Sequence, residues 1–118
     1  MHDYKKLDVW SKAMELASQI YQLTESFPDT EKFGLISQMR RSGVSIPSNI
    51  AEGAGRNSNK EFNNFLSIAL GSAFELETQL LLSAKLGLVN TKDIDNILLE
   101  LESVSKMIHS LKKRILKV

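Results

Sequence analysis

The chain has 118 residues, a formal net charge of +1 and no cysteine, with 42% apolar and 25% charged residues. This composition excludes wholesale disorder, and the length predicts a single domain over residues 1–118. The lack of cysteine excludes disulfides, thiolate zinc sites, iron–sulfur clusters and a cysteine nucleophile. Because the chain has only two histidines, we expect no metal site, no cofactor and no enzymatic activity.

The sequence also lacks the usual signals for membranes and export. No stretch approaches the roughly 18 consecutive apolar residues of a membrane span. The first residues are polar and of mixed charge, without the apolar core of a secretion signal. We therefore expect a cytoplasmic protein that does not bind a membrane.

Apolar residues recur at helical spacing in four segments, which are separated by three breaks. The breaks are Phe27–Thr30 at a proline, the glycine-rich Gly53–Ser58, and Leu86–Thr91. The predicted helices are Asp8 to Ser26, one starting near Thr30, one opened by the capping box Ser58-Asn59-Lys60-Glu61, and Thr91 to about Leu116. Four amphipathic helices joined by short loops predict an all-α fold, an antiparallel up-and-down four-helix bundle.

The third predicted helix is apolar over nearly half of its circumference, whereas an isolated bundle needs a stripe of roughly 100°. Its apolar residues are Phe62, Phe65, Leu66, Ala69, Ala73, Phe74, Leu76, Leu80 and Leu81. The excess predicts a homo-oligomer or, alternatively, a helix buried at the centre of a monomer. Glu77 falls within this arc, where we expect a salt bridge to Arg40 or Arg41 to offset its burial.

The second predicted helix carries a polar, mostly uncharged face opposite its isoleucines. This polar face consists of Gln38, Arg41, Ser45, Asn49 and Glu52, with Ser48 beside them. Pro47 removes one helical N–H and crowds the carbonyl of Gly43, so the short polar side chains fit a kinked helix whose freed backbone groups they satisfy. The alternative is a docking surface for a protein partner.

Two basic segments are candidates for contact with phosphate groups. Arg56 and Lys60 flank the glycine-rich segment before the third helix, where unpaired N–H groups and the helix dipole favour an anion. Glycines also serve the geometry of a helix–helix turn without binding anything. After Glu102 the chain has no acid, and five basic residues follow: Lys106, Lys112, Lys113, Arg114 and Lys117. These residues either complement the dipole at the end of the fourth helix or bind a nucleic-acid backbone.

Specific motifs extend over residues 4–116. They include Leu7-Asp8-Val9-Trp10, Glu31-Lys32-Phe33-Gly34-Leu35, Ser37-Gln38-Met39-Arg40-Arg41 and Val44-Ser45-Ile46-Pro47-Ser48-Asn49-Ile50-Ala51-Glu52-Gly53. They resemble the four-helix-bundle family encoded in intervening sequences of bacterial 23S ribosomal RNA genes. The resemblance implies a small cytoplasmic bacterial protein that assembles as a pentameric ring, and it implies no catalytic residues. The motifs also resemble the accessory bundle protein of diversity-generating retroelements, which binds nucleic acid and a reverse transcriptase.

We therefore predict a non-catalytic, homo-oligomeric bundle that binds RNA or other nucleic acid. The candidate binding residues are Arg56, Lys60, Lys106, Lys112, Lys113 and Lys117. The alternative prediction is a protein-interaction scaffold, such as an accessory subunit of a reverse transcriptase, that docks its partner on the polar face.

Overall fold

Four α-helices account for most of the computed structural model, which describes residues 1–117. The helices are α1 (Asp8–Thr24), α2 (Leu35–Ala54), α3 (Asn59–Lys85) and α4 (Thr91–Leu116). Short 3-10 turns precede α1 and α2, and no strand occurs among the described residues. The predicted all-α four-helix bundle is confirmed.

Consecutive helices run antiparallel, because the end of one lies against the start of its neighbour. The contacts join Thr24 to Arg40, Gly53 to Phe62 and Asn59 to Ile115. Each helix contacts its two neighbours in the order α1–α2–α3–α4, whereas the diagonal pairs α1–α3 and α2–α4 make no backbone contact. The result is an elongated bundle with extents of 47 × 23 × 20 Å.

The break around Pro28 is longer than the sequence predicts. α1 ends at Thr24 rather than at Ser26, and α2 begins at Leu35 rather than near Thr30. Pro28 has an extended backbone, with φ of −60° and ψ of 146°, and a separate 3-10 turn follows it. A continuous helix cannot include this conformation, so the connection takes up the residues assigned to the helix ends.

Gly53 and Ala54, which the sequence assigns to a loop, are the last two residues of α2. Gly53 is buried where α2 meets α3. A Cβ at this position would lie 2.7 Å from the Cβ of Phe65 and 2.9 Å from the Cδ1 of Phe62. Glycine is therefore needed here for close packing of two helices and not for a turn.

The predicted starts of α3 and α4 are confirmed. The Oγ of Ser58 accepts a hydrogen bond from the backbone N–H of Glu61 at 3.1 Å, as expected for an N-cap. Gly87 follows α3 with φ of +76°, a left-handed conformation that commonly ends helices. Asn90 and Asp93 then form a capping box at the start of α4.

The core contains one apolar face from each helix. Its largest fully buried side chains are Leu16, Ile20, Met39, Ile46, Ile50, Phe62, Leu66, Leu76, Leu80, Ile94, Leu101 and Ile108. Burial of one such side chain stabilises the fold by roughly 1.5–3 kcal/mol. The buried polar residues among those described are threonine and serine, and none of the buried residues is charged. The bundle is therefore held mainly by apolar packing.

α3 is long and apolar enough to cross a membrane by length and composition, a criterion that core helices of soluble proteins also meet. α3 is not buried at the centre of the bundle. The alternative prediction, that central burial explains its wide apolar arc, is therefore wrong. Phe74 and Leu81 are 54% and 52% exposed. We define the α3 outer face as Ile68, Gly71, Phe74, Leu81 and Leu82, which are all exposed. This face accounts for the excess of apolar residues.

The first prediction concerns the contact at Gly53. Replacement by alanine (Gly53→Ala) should lower the free energy of unfolding by about 1–3 kcal/mol, because the new methyl group forces α2 away from α3. The matched control is Gly55→Ala, where the nearest atom would lie 3.6 Å from the added Cβ and φ is −82°. Alanine fits this backbone conformation and should stabilise the folded chain by about 0.4–1 kcal/mol, because it reduces the conformational entropy of the unfolded chain. Urea denaturation at one fixed protein concentration measures the free energy of unfolding of both variants. Equal changes in the two variants would contradict the packing role of Gly53.

Candidate nucleic-acid interface and polar face

One end of the bundle brings together the start of the chain, the α2–α3 turn and the end of α4. The backbone N–H of His2 donates a hydrogen bond to the carbonyl of Ala54 at 2.7 Å. The Nδ2 of Asn59 donates to the carbonyl of Ile115 at 3.0 Å. These contacts collect residues 1–6, 52–61 and 109–117 at one end, which we call the basic end.

The charges of the chain are separated along the bundle. The basic end carries eight Lys and Arg residues against three acidic ones, a formal charge of +5. At the opposite end, residues 25–32 and 85–95 carry three basic against five acidic residues, a formal charge of −2. The total charge of +1 therefore conceals a strongly uneven distribution, which is what matters for an approaching polyanion.

Arg56 is held in a defined position at the basic end. Its Nη2 lies 2.9 Å from the Oε1 of Glu52, one helical turn earlier, and both side chains are about half exposed, at 41% and 55%. The guanidinium also lies 4.7 Å from the centre of the Phe65 ring. An exposed ion pair of this kind contributes about 0–1 kcal/mol. Arg56 can therefore exchange the carboxylate for a phosphate at little cost.

The candidate lysines differ in their surroundings. Lys106 lies ten residues before the end of α4, about 15 Å from it along the helix, and pairs with Glu102 at 3.0 Å. It lines a groove between α1 and α4 together with Lys6 and Arg114, and it therefore borders the basic end. Lys112 is half-buried and its Nζ donates to the Oγ of Ser67 at 2.7 Å. Among the candidate lysines, Lys60, Lys113 and Lys117 are exposed and form no ion pair within residues 1–117.

The polar face of α2 is partly used inside the chain. The Oγ atoms of Ser45 and Ser72 lie 2.8 Å apart. The Nδ2 of Asn49 donates to the Oγ of Ser45 at 2.9 Å and to its carbonyl at 2.8 Å. This carbonyl is not the one that Pro47 leaves without a donor, which belongs to residue 43. Ser45 therefore joins α2 to α3 through Ser72, and Asn49 supports Ser45 from within α2. Neither side chain repairs the helix at the proline.

The other residues of the polar face point to solvent in different places. Gln38, Arg41, Ser48 and Glu52 are all exposed. Gln38 and Arg41 line a polar groove between α2 and α3, together with Glu75 and Gln79. Ser48 lies on the other side of α2, facing α1. The polar face is thus two separate surfaces instead of one.

The predicted salt bridge between Glu77 and Arg40 or Arg41 is wrong. Glu77 is exposed, and it forms no ion pair within residues 1–117. The Nε of Arg40 instead donates to the Oγ1 of Thr24 at 2.9 Å, and its guanidinium lies 4.5 Å from the centre of the Tyr21 ring. The sequence predicts burial of Glu77 because this residue falls within the apolar arc of α3. The outward half of that arc is exposed, so the prediction fails.

An apolar groove between α1 and α2 was not predicted from the sequence. We call it the aromatic groove, and its lining includes Tyr4, Trp10, Met14, Tyr21, Val44 and Pro47. Beyond Tyr21 a second depression continues to Phe33, which is almost fully exposed. The sequence does contain a signal for this groove, because Trp10, Met14 and Tyr21 recur on one side of α1, next to the residues that it buries in the core.

Residue types that carry catalysis or bind metals are scattered in the described part of the chain. Within residues 1–117 no three His, Asp or Glu side chains are grouped so that they could hold one metal ion. The ring of His2 packs against Phe62 with a centroid distance of 5.0 Å, and His109 is exposed on α4. The distinctive features of the surface are therefore its charge distribution and its apolar patches.

Comparison with known proteins identifies the family. A family model described as "23S rRNA-intervening sequence protein" matches residues 5–110. The fold is similar to a crystal structure from Bacteroides thetaiotaomicron, described as a protein with unknown function from the S23 ribosomal protein family. The two share 30% sequence identity with a TM-score of 0.80, over 89% of this chain and 98% of that chain. A search of curated proteins finds no match. Because the family model covers most of the chain, the chain belongs to the 23S rRNA-intervening sequence protein family.

Proposed function

We propose that this chain is a non-catalytic, homo-oligomeric bundle that binds RNA or another nucleic acid through its basic end. One observation carries the proposal: the fold gathers eight Lys and Arg residues against three acids at one end of a nearly neutral chain. Clustered positive charge of this kind is the electrostatic footprint of nucleic-acid binding, because phosphate contacts dominate the affinity.

The side chains at the basic end suit phosphate contacts of different kinds. Lys60, Lys113 and Lys117 offer exposed ammonium groups, which bind phosphate oxygens as flexible point charges. Arg56 offers a planar guanidinium that can bind a phosphate with two parallel hydrogen bonds. Lys106, which pairs with Glu102, would extend these contacts along α4 through the groove that it lines with Lys6 and Arg114.

Self-association strengthens such binding. A single basic end makes few phosphate contacts, and non-specific affinities are typically ~10⁻⁴–10⁻⁶ M at physiological salt. Several copies joined together place several basic ends along one polyanion and raise the effective concentration of each. The exposed α3 outer face supports self-association, since monomeric proteins seldom expose a contiguous apolar patch without a binding role. A pentameric ring, as the family resemblance implies, would supply five such ends.

A protein-interaction scaffold is the second candidate function. The polar groove between α2 and α3 favours it, because Gln38 and Arg41 are exposed along its wall. The buried Oε1 of Gln79 on the same wall has no hydrogen-bond partner within residues 1–117. A partner such as a reverse transcriptase would satisfy both groups if it offered a hydrogen-bond donor to Gln79 and a carboxylate to Arg41.

The leading proposal predicts salt-dependent binding to structured RNA. The double variant Lys60→Ala/Lys113→Ala should weaken binding and reduce the slope of log K against log salt by roughly 0.7–0.9 for each lost phosphate contact. Fluorescence anisotropy across a salt series measures both quantities. Lys32→Ala/Lys92→Ala removes two exposed lysines from the opposite end and should leave the slope unchanged. Absence of binding by the wild type at low salt, or binding that ignores salt, would reject nucleic-acid binding.

The scaffold candidate predicts two different outcomes along the polar face. Ser45→Ala should lower the free energy of unfolding by about 1–3 kcal/mol, because Ser72 and Asn49 lose their partner. Arg41→Ala changes an exposed residue, so the thermal midpoint should stay nearly constant while binding of a purified retroelement reverse transcriptase is lost. Co-elution of that polymerase with Arg41→Ala as with the wild type would exclude this groove as the docking site.

A further inference from the structure

We propose that the groove between α1 and α4 binds a short unpaired stretch of nucleic acid, with phosphates on its basic rim and bases against its apolar floor. The inference rests on the nucleic-acid binding of the proposed function, and it adds a site and the form of the ligand. We call this depression the α1–α4 groove. Its volume is about 560 Å³, within the range of roughly 300–1,000 Å³ that is typical of ligand sites.

The start of the chain forms one wall of the α1–α4 groove. Residues Tyr4–Lys6 form a 3-10 turn, in which the carboxylate of Asp3 accepts a hydrogen bond from the backbone N–H of Lys5 at 3.1 Å. The Tyr4 ring packs edge-on against Trp10 of α1, with ring centroids 5.1 Å apart. These contacts hold the turn on α1, and Lys6 lines the groove directly after them. The turn therefore adds a cation that neither helix supplies.

The opposite wall is a stripe of α4 that is rich in hydrogen-bond donors. Its residues recur at every third or fourth position and therefore lie along one side of the helix. They are Leu99, Ser103, Lys106, Ser110 and Arg114. The last four carry hydroxyl, ammonium or guanidinium donors and extend over about 16 Å of the helix. Side chains of these kinds make most of the phosphate contacts in nucleic-acid complexes.

The cations of the α1–α4 groove are available to a ligand. Lys6 and Arg114 are exposed and form no ion pair within residues 1–117. The Nζ of Lys12 lies at the edge of the groove, 3.4 Å from the Oγ of Ser103. Lys6 and Arg114 also belong to the basic end. A strand in the groove is therefore continuous with the phosphate contacts proposed there.

Two acids also line the α1–α4 groove, Asp8 and Glu102. Glu102 pairs with Lys106 at 3.0 Å, and both side chains are more than half exposed, so a phosphate can replace the carboxylate at little cost. Asp8 is the first residue of α1, where the positive end of the helix dipole offsets its charge. The lining keeps an excess of cations, and a flexible strand can place its phosphates on them and away from Asp8.

The apolar floor favours an unpaired strand over a duplex. Leu7 and Met107 are half-buried in the floor, and Leu99, farthest from the basic end, is 64% exposed. Unpaired bases can lie against such side chains, whereas a duplex keeps its bases stacked inside. Neighbouring helices have axes only about 8–10 Å apart, so the groove between them is too narrow to enclose a duplex. An unpaired strand offers bases and phosphates on one short segment, which matches the floor and the rim together.

Loss of the base contact is the first test, with a homopyrimidine RNA strand and the duplex that it forms with its complement as probes. Leu99→Ser should weaken binding of the strand about fivefold, as expected for loss of a modest base contact. The same variant should bind the duplex and inorganic polyphosphate like the wild type. The matched control is Leu116→Ser, which changes an exposed leucine of α4 outside the groove and should not alter binding of the strand. Fluorescence anisotropy measures direct binding, and competition measures polyphosphate.

Loss of the phosphate contacts is the second test. Lys6→Ala/Arg114→Ala should reduce the slope of log K against log salt for the strand by roughly 0.7 for each lost contact, and should change the slope for the duplex less. Circular dichroism shows whether each variant is folded, and Leu99→Ala replaces Leu99→Ser if the latter unfolds.

The outcomes separate this inference from the proposed function. A wild type that binds neither the strand nor the duplex would reject nucleic-acid binding itself. Binding of the duplex alone would overturn the groove site and leave the proposed function standing. So would variants of Leu99, Lys6 and Arg114 that affect the strand no more than the duplex.

Discussion

The close packing of α2 against α3 at Gly53 is the constraint on which the rest of the molecule depends. Because Gly53 has no side chain, the first two turns of α3 can place Phe62 and Phe65 directly against the end of α2. The connection between the two helices then needs only residues 55–58. This tight connection holds Arg56 over Phe65 and brings the start of α3 beside the end of α4. The same contact that completes the core thus assembles the basic end.

At the end of α4 a neutral side chain supplies a donor to a terminal carbonyl. Terminal carbonyls of helices need hydrogen-bond donors, and the Nδ2 of Asn59 donates to the carbonyl of Ile115. Lys113 and Lys117 are left exposed. The favourable interaction of these two ammonium groups with the helix dipole stabilises lysine at both positions. It leaves their ammonium groups available to a ligand.

Features set by neighbouring residues could be predicted from the sequence, and features set by contacts between helices could not. The start of α3 at Ser58 and the four amphipathic segments follow from local patterns, so the bundle itself was predictable. The sequence predicts a loop at Gly53 because the contact that requires glycine there is with α3, whose residues are remote in sequence. The position of Arg40 over Tyr21 and the aromatic groove depend on how α1 lies against α2. The candidate basic residues could be named from the sequence, but their convergence at one end of the bundle depends on the topology.

The separation of charge along the bundle also makes the molecule an electric dipole, with its positive pole at the basic end and its negative pole about the length of the bundle away. A dipole in the field of a polyanion experiences a torque as well as a net force. This torque acts only within about 8 Å at physiological ionic strength, where screening is incomplete. Over that last distance it turns the positive pole towards the polyanion and the negative pole away. The bundle would therefore be oriented before any side chain makes contact, which shortens the rotational search and raises the rate of productive encounters.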